Sequence, residues 1–386
     1  MRSVQFLIFF SIVILIYSLV NYYIYIRGMQ ALPQGMAFKN WYPWIFLFLS
    51  ASYLIGRFTE RLWISPVSTF FTFTGSFWLA FMVYFLMAVL VIDLTKVLIY
   101  FLPSKPLFLV NNYTDIKKYL FFTVVFGVGI VVLAGHINAL TPRIKRIDFH
   151  IDKKAGIMKT LHIAAASDIH LGTLVGPRRT AKLVKMLNER NADVILLAGD
   201  IVDEDLAPVI KYDLGRSILK LKAPLGVYAI TGNHEYIGGA DAAVNYLEKH
   251  GITMLRDTAV KINESFYLAG RNDRDSKRFS SRERKELDKI LAGVNFSLPV
   301  ILMDHQPFNL QQVADAGIDF QLSGHTHHGQ LWPFNYITNA IYEVSWGYKQ
   351  KGKSHFYVSS GYGGWGPPVR TGNRPEILDI YITFDQ

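Results

Sequence analysis

Charged positions are sparse along the first third of the chain and return at ordinary density afterwards, so the hydrophobic pattern divides the 386 residues in two. Within residues 1–140 four apolar stretches stand out: 4–26, 43–56, 70–92 and 119–140. The first runs 23 residues without a charge, enough to cross a hydrocarbon core of ~30 Å at ~1.5 Å per residue. It is too long for a signal peptide and has no small-residue cleavage site. The second reaches spanning length with Trp41 and Arg57 at the interfaces, and the third continues as an amphipathic segment, 94–101. Trp41, Trp44, Trp63, Tyr22, Tyr23 and Tyr25 gather at the ends of these stretches, where an aromatic belt belongs. The pattern predicts an all-α transmembrane anchor of about four helices over 1–140.

From residue 158 onward the period changes. Short apolar runs at 160–166, 194–198, 225–230, 299–303 and 320–322 read as buried strands, and 178–190 has helical periodicity. Strands alternating with helices predict an α/β domain over 158–386. Residues 141–157 are rich in Lys and Arg and are predicted to be a basic linker.

Composition sharpens this division. Residues 1–140 hold nine Lys/Arg and three Asp/Glu, leaving 31 and 27 for the remaining 246. The net charge of +10 is therefore +6 and +4 in the two parts. Such a spread is not the footprint of a nucleic-acid binder, and cations flanking apolar segments are a membrane-surface signal instead. An even number of spans puts the N-terminus and the α/β domain on one side. Eight flanking cations (Arg2, Arg57, Arg61, Arg143, Lys145, Arg146, Lys153, Lys154) lie there, against Arg27, Lys39, Lys105, Lys117, Lys118 and, at the edge, Lys96. That asymmetry favours a cytoplasmic domain on a multi-pass integral membrane protein. With no Cys, disulfides and thiolate ligands are excluded.

The chemistry lies just past the predicted strands. Ser167-Asp168-Ile169-His170, Gly199-Asp200, Gly232-Asn233-His234-Glu235, Asp304-His305 and Gly324-His325-Thr326-His327 each follow an apolar run. Open α/β sheets collect ligands at the C-terminal ends of their strands. Six of the eleven His fall in or beside these blocks, counting His328. Carboxylate, amide and imidazole donors without sulfur suit two closely spaced divalent cations, with Mn²⁺, Fe, Zn²⁺ and Mg²⁺ all compatible. Asp203, Glu204 and Glu235 are candidates to orient the His ligands. The charged segment 271–289 reads as a solvated loop and helix face, and the aromatic segment 331–348 as either core or bilayer contact.

The order D-x-H, G-D, G-N-H-E, His, G-H-x-H resembles the calcineurin-like metallophosphoesterase superfamily over residues 158–386. The stretches Asp168-Ile169-His170-Leu171-Gly172, 323–330, 361–364 and Arg374-Pro375-Glu376-Ile377 look like its membrane-attached bacterial subgroup, which includes UDP-2,3-diacylglucosamine pyrophosphatase-like enzymes. The resemblance implies a β-sandwich flanked by helices with a dinuclear centre at the strand ends. Asp168, His170 and His327 would hold one metal, Asn233, His305 and His325 the other, and Asp200 would bridge. His234 would be the catalytic group that faces the phosphoryl or leaving-group oxygen rather than a ligand. His328 stands where the subgroup usually has Gly. The implied function is a membrane-anchored, metal-dependent hydrolase of a phosphoester or pyrophosphate bond, in a phosphorylated membrane lipid or, alternatively, in a soluble phosphodiester. A non-catalytic metal-binding module on a membrane scaffold is the reading from another class. Oligomeric state is not encoded in any of these features.

Overall fold

The computed structural model describes residues 2–104, 106–280 and 282–386, and the chain divides into two compact units, Met1–Gly135 and His136–Gln386. Lys105, part of the charge asymmetry above, lies outside the described residues.

The first unit is helical: α1 (Arg2–Ala31), α2 (Ala37–Leu62), α3 (Pro66–Tyr100), the short α4 (Leu107–Asn111) and α5 (Tyr113–Ala139), whose last turn passes into the second unit. Among the described residues three stretches, Phe10–Ala31, Pro66–Tyr100 and Tyr113–Ala139, are long and apolar enough to cross a membrane. Helix α2 is 26 residues long, but Trp, Tyr, Pro and Ser dilute its apolar run and Lys39, Arg57, Glu60 and Arg61 charge its ends. Ser65 fixes the turn into α3. Its Oγ accepts from Ser68 N at 3.2 Å while its own N–H donates to Ser68 Oγ at 2.8 Å, with Pro66 in the first turn. Small residues then let α2 and α3 approach closely, since a Cβ on Gly75 would lie 2.2 Å from the Tyr53 backbone nitrogen.

The second unit contains twelve strands: β1 (Arg143–Lys154), β2 (Thr160–Ala166), β3 (Val194–Ala198), β4 (Val227–Ile230), β5 (Thr253–Met254), β6 (Thr258–Ile262), β7 (Phe266–Gly270), β8 (Val300–Met303), β9 (Phe320–Ser323), β10 (Gly347–Lys351), β11 (Ser354–Val358) and β12 (Glu376–Asp385). They form two six-stranded sheets, ordered β1-β12-β2-β3-β4-β5 and β10-β11-β9-β8-β7-β6. The period of two sorts their side chains. Ile163, Ala165, Leu196 and Ala198 meet Leu268, Ile301, Met303 and Leu322 between the sheets. Ala164, Ala166, Ile195 and Leu197 turn outward onto Leu183, Leu187 and Leu247 of the covering helices. Leu302, Val300 and Phe356 do the same on the far face of the other sheet. Both faces of each sheet are covered, the four-layered α/β sandwich anticipated from the sequence.

The segment expected as a basic linker is instead strand β1, paired in parallel with β12 from Arg143↔Glu376 onward. Its cations conceal an alternation. Ile147 and Ile151 are buried in the core between the sheets with Phe149 packed against it, while Lys145, Arg146, Asp148 and Asp152 point to solvent. A strand at a sheet edge keeps polar residues on its open side and still buries every second residue.

Candidate metal centre

Strands β2, β3 and β4 run parallel, as do β8 and β9, so their C-terminal ends open on one side. The residues that follow turn inward abruptly. Asp168, His170, Asp200, His325 and His327 all have positive φ, from 45° to 71°. Non-glycine residues in that region cost about 1–3 kcal/mol each and persist where the surroundings impose them. Backbone bonds impose them here: Asp168 N donates to Gly199 O (3.0 Å), Ile169 N and His170 N to Asp200 O (2.8 and 2.9 Å), and Gly324 N to His305 O (2.9 Å). Glycine supplies the space for the donors. A Cβ on Gly232 would stand 2.1 Å from Asp200 Oδ1, and one on Gly324 2.3 Å from Asp168 Oδ2.

The structure brings together seven of the candidate residues. Asp168, His170 and His327 form one group whose donor atoms lie within 4.8 Å of one another, and Asp200, His305 and His325 form a second. Asn233 joins the second group, its Oδ1 lying 2.8 Å from His325 Nδ1. Asp200 connects the groups: its Oδ2 is 3.0 Å from His305 Nε2 and 3.9 Å from His170 Nε2. His305 donates Nδ1–H to Ala198 O at 2.7 Å, which leaves its Nε2 aimed into the site. That nitrogen is fully buried and makes no hydrogen bond, despite its closeness to Asp200. Buried polar atoms rarely go unpartnered, and two lone pairs converging at this distance suit a shared cation. The residues fit a pair of divalent ions in donor type, number and the space that the glycines provide.

Electrostatics divide the imidazoles: burial opposes charge on His305, yet Asp200 and Asp168 push its pKa well above the usual value, so Nε2 has a lone pair only once that proton is displaced. Burial and the neighbouring His305 hold the His325 imidazole near a pKa of about 3, and burial with His170 and Arg370 pushes His327 well below its usual value. Both rings are therefore neutral, the form in which imidazole ligates. Burial opposes ionising Asp200, but His305 and His234 outweigh it and keep its carboxyl well below the ordinary range.

His234 belongs to neither of these groups but forms a third with His170 and Asp203, their donor atoms also within 4.8 Å of one another. Burial works against charge on its ring, yet Asp200 and Asp203 lift its pKa to about 9. Its Nδ1 is 3.1 Å from Asp203 Oδ1, and the same carboxylate oxygen lies 3.6 Å from His170 Nδ1. Asp203 thus faces two His rings, as the sequence suggested. Glu235 does something else: its carboxylate accepts the backbone N–H groups of Asp200, Val202 and Gly232 at 3.1, 2.8 and 2.7 Å, fixing the loops instead of a ring. His328 turns away from the donors, with Nδ1 2.8 Å from Ser345 Oγ.

Segment 271–289 is less solvated than expected. Arg271 (3.3 Å) and Arg284 both form ion pairs with the buried Asp304, because a carboxylate removed from water needs cations close by. The aromatic segment divides: Trp346 Nε1 donates to the buried Glu376 at 2.9 Å, whereas the helix Phe334–Ile341 has no buried residue. Glu376 also accepts from Ser360 N at 3.0 Å and lies 3.5 Å from Arg143, so the Arg374-Pro375-Glu376 stretch anchors the sheet edge.

Sequence reasoning missed Arg370. It is fully buried, donates to Ser360 O (2.7 Å) and Gly363 O (2.7 Å), and places Nη2 3.2 Å from His327 Nδ1. Its loop is tied down by Asn138, which donates to the carbonyls of Arg370 (2.8 Å) and Asn373 (2.6 Å). No local motif marks it, since 43 residues separate it from His327.

Comparison with known proteins gives the same picture. The family profile described as calcineurin-like phosphoesterase matches residues 161–329. An uncharacterized metallophosphoesterase of Aquifex aeolicus (strain VF5) is 32% identical over 257 residues, covering 66% of this chain and 97% of that protein. One from Helicobacter pylori (strain J99 / ATCC 700824) is 33% identical over 235 residues, covering 59% of this chain and only 60% of that relative's length. A Danio rerio relative named transmembrane protein with metallophosphoesterase domain is 29% identical, covering 66% of this chain and 60% of its own.

Proposed function

Because the chain belongs to the calcineurin-like phosphoesterases, we propose that it is a membrane-held, dinuclear-metal hydrolase acting on a phosphoester or pyrophosphate bond of a lipid-linked substrate. The observation that carries this reading is the convergence of seven donors, from the ends of five strands in two sheets, around Asp200.

In this reading Asp168, His170 and His327 hold one cation and Asn233, His305 and His325 the other. Asp200 is shared, since a carboxylate has two oxygens to divide between ions about 3.5–4 Å apart. Mn²⁺ is favoured, with Fe, Zn²⁺ and Mg²⁺ as alternatives of similar donor preference. When bound, the pair supplies charge that lowers the pKa of water and neutralises phosphoryl oxygens. The chain supplies the rest. His234, held through Nδ1 by Asp203, keeps its other ring nitrogen for a phosphoryl or leaving-group oxygen and serves as general acid. Arg370 positions the His327 ring from behind. Asp203 orients His170 and His234 together.

The lipid assignment rests on the surface beside the site. Tyr336 (64% exposed), Ile337 (55%) and Ile341 (58%) leave one amphipathic helix uncovered, and Trp332 and Trp365 are half-exposed nearby in sequence or contact. Trp365 also reaches the chemistry, with its ring 6.3 Å from that of His234. An exposed amphipathic helix with flanking Trp and Tyr suits the headgroup region of a bilayer. Four spans, from α1, α2, α3 and α5, with the second unit on the cytoplasmic side, complete the proposal; α2 would cross with Trp41 and Arg57 at the interfaces. The full-length protein in manganese, assayed head to head on a lipid phosphate in vesicles and on bis(p-nitrophenyl) phosphate, tests it. Preference for the vesicle substrate supports the reading, and turnover of the soluble diester alone overturns the lipid assignment.

A further inference from the structure

The helical unit contains a cavity of about 1400 Å³ between α1, α2, α3 and α5. This exceeds the roughly 300–1,000 Å³ of pockets that hold drug-sized ligands. Its deep wall is apolar and aromatic: Phe46, Trp78, Phe85 and Phe121 all line it. Ring contacts and a hydrogen bond tie the wall together. Phe46 packs edge-on against Trp78 at 5.0 Å, Trp78 Nε1 is satisfied by Asn21 Oδ1 at 2.9 Å, and α5 meets this cluster through Phe121 against Tyr42 at 6.1 Å.

Charge gathers at one end. The four helices alternate in direction, and Arg27 and Lys96 lie near the C-terminal ends of α1 and α3, while Lys39 and Lys117 lie near the N-terminal ends of α2 and α5. All four cations line the cavity, together with a single carboxylate, Asp93. Asp93 is engaged by Arg27 at 2.6 Å and Lys96 at 3.2 Å. Lys39 reaches only the carbonyl of Leu32 at 2.9 Å, and Lys117 lies over the Tyr113 ring at 4.6 Å. Arg27 Nε is a buried donor with no hydrogen-bond partner. Four cations against one anion, around an apolar chamber, leave a surplus of positive charge and a free donor at its mouth.

We infer that this cavity binds one anionic phospholipid from the surrounding bilayer, with acyl chains against the aromatic wall and the phosphate among Arg27, Lys39 and Lys117. Basic pockets between transmembrane helices recognise anionic headgroups in this way. Arg27, whose Nη atoms are engaged by Asp93 and Gln30, offers the phosphate its Nε–H, and each Lys offers a point charge. The site lies wholly within residues 24–125 and shares none with the metal centre. It does not depend on the catalytic reading.

The test uses the full-length protein in nanodiscs of phosphatidylcholine containing phosphatidylglycerol as the probe. After detergent extraction, native mass spectrometry counts the lipids retained per chain. The expected result is one phosphatidylglycerol, retained in preference to phosphatidylcholine. Lys39→Gln and Lys117→Gln leave the Arg27–Asp93 pair intact, and each should weaken retention about fivefold. Val89→Trp, which changes no charge and lines the cavity, should weaken retention by narrowing the space for the acyl chains. Equal retention of phosphatidylcholine, or unchanged phosphatidylglycerol retention in a folded charge variant and in folded Val89→Trp, would overturn the proposal. The readout is bound lipid and not turnover, so this outcome leaves the phosphoesterase assignment standing.

Discussion

Asp203 Oδ1 lies 3.1 Å from Nδ1 of His234, within hydrogen-bond reach, and 3.6 Å from Nδ1 of His170, so one carboxylate stands beside a proposed ligand and the proposed acid. Burial opposes its ionisation, but the His170 and His234 rings outweigh it and keep the carboxyl below the usual range. Asp203→Asn keeps the shape and removes the charge. It should lower kcat about 10–100-fold while metal content falls much less, as for other groups that orient metal-bound His. Metal analysis alongside kcat checks this; wild-type kcat would show that the contact is structural.

His234→Ala should leave both metals bound and lower kcat by about 10²–10⁴-fold, the usual worth of a positioned acid. Loss of metal in step with activity would make His234 a ligand instead.

Gly232 and Gly324 are predicted to be intolerant for a reason of space. A methyl on either would meet a carboxylate oxygen, of Asp200 or Asp168, at 2.1 or 2.3 Å. Gly232→Ala should therefore cost metal affinity more than it costs stability. Isothermal titration with Mn²⁺ and a thermal melt on one preparation separate the two effects, and unchanged affinity would mean that the carboxylate has room to move.

Much of this site is legible in the sequence because each block is local. A buried strand, a tight turn and a donor fit within a few residues, so Asp168, Asp200, Asn233, His305, His325 and His327 can be read one strand end at a time. What escapes is either non-local or disguised. Arg370 reaches His327 from a loop 43 residues away, and nothing in its own neighbourhood announces the contact. Strand β1 is disguised by composition: its Lys and Arg suggest a linker, whereas the alternation of Ile147, Phe149 and Ile151 is what pairs it with β12. Glu235 was read as a partner for His, but its spacing from Gly232 lets it cap backbone N–H groups instead.

Arg370 offers a test of that non-local contact. Its guanidinium satisfies the carbonyls of Ser360 and Gly363 in the interior. Arg370→Met leaves them unpaired and should destabilise the second unit by about 2–5 kcal/mol, at about 1–3 kcal/mol for each buried carbonyl left unsatisfied. Arg370→Lys should retain more stability and still reduce metal affinity about tenfold, through the loosened His327 ring. Denaturation midpoints and Mn²⁺ titration distinguish these, and a Lys variant with wild-type affinity would remove Arg370 from the site.

The central claim is that Asp200 is shared by two cations. Its most direct measurement is metal stoichiometry, by inductively coupled plasma mass spectrometry, on the wild type and Asp200→Asn purified in parallel and assayed for hydrolysis. The expected result is two divalent ions per wild-type chain, and in the variant a loss of metal together with a loss of activity of at least about 10³-fold, since the shared ligand serves both ions. A variant that keeps both ions and the wild-type rate would contradict it.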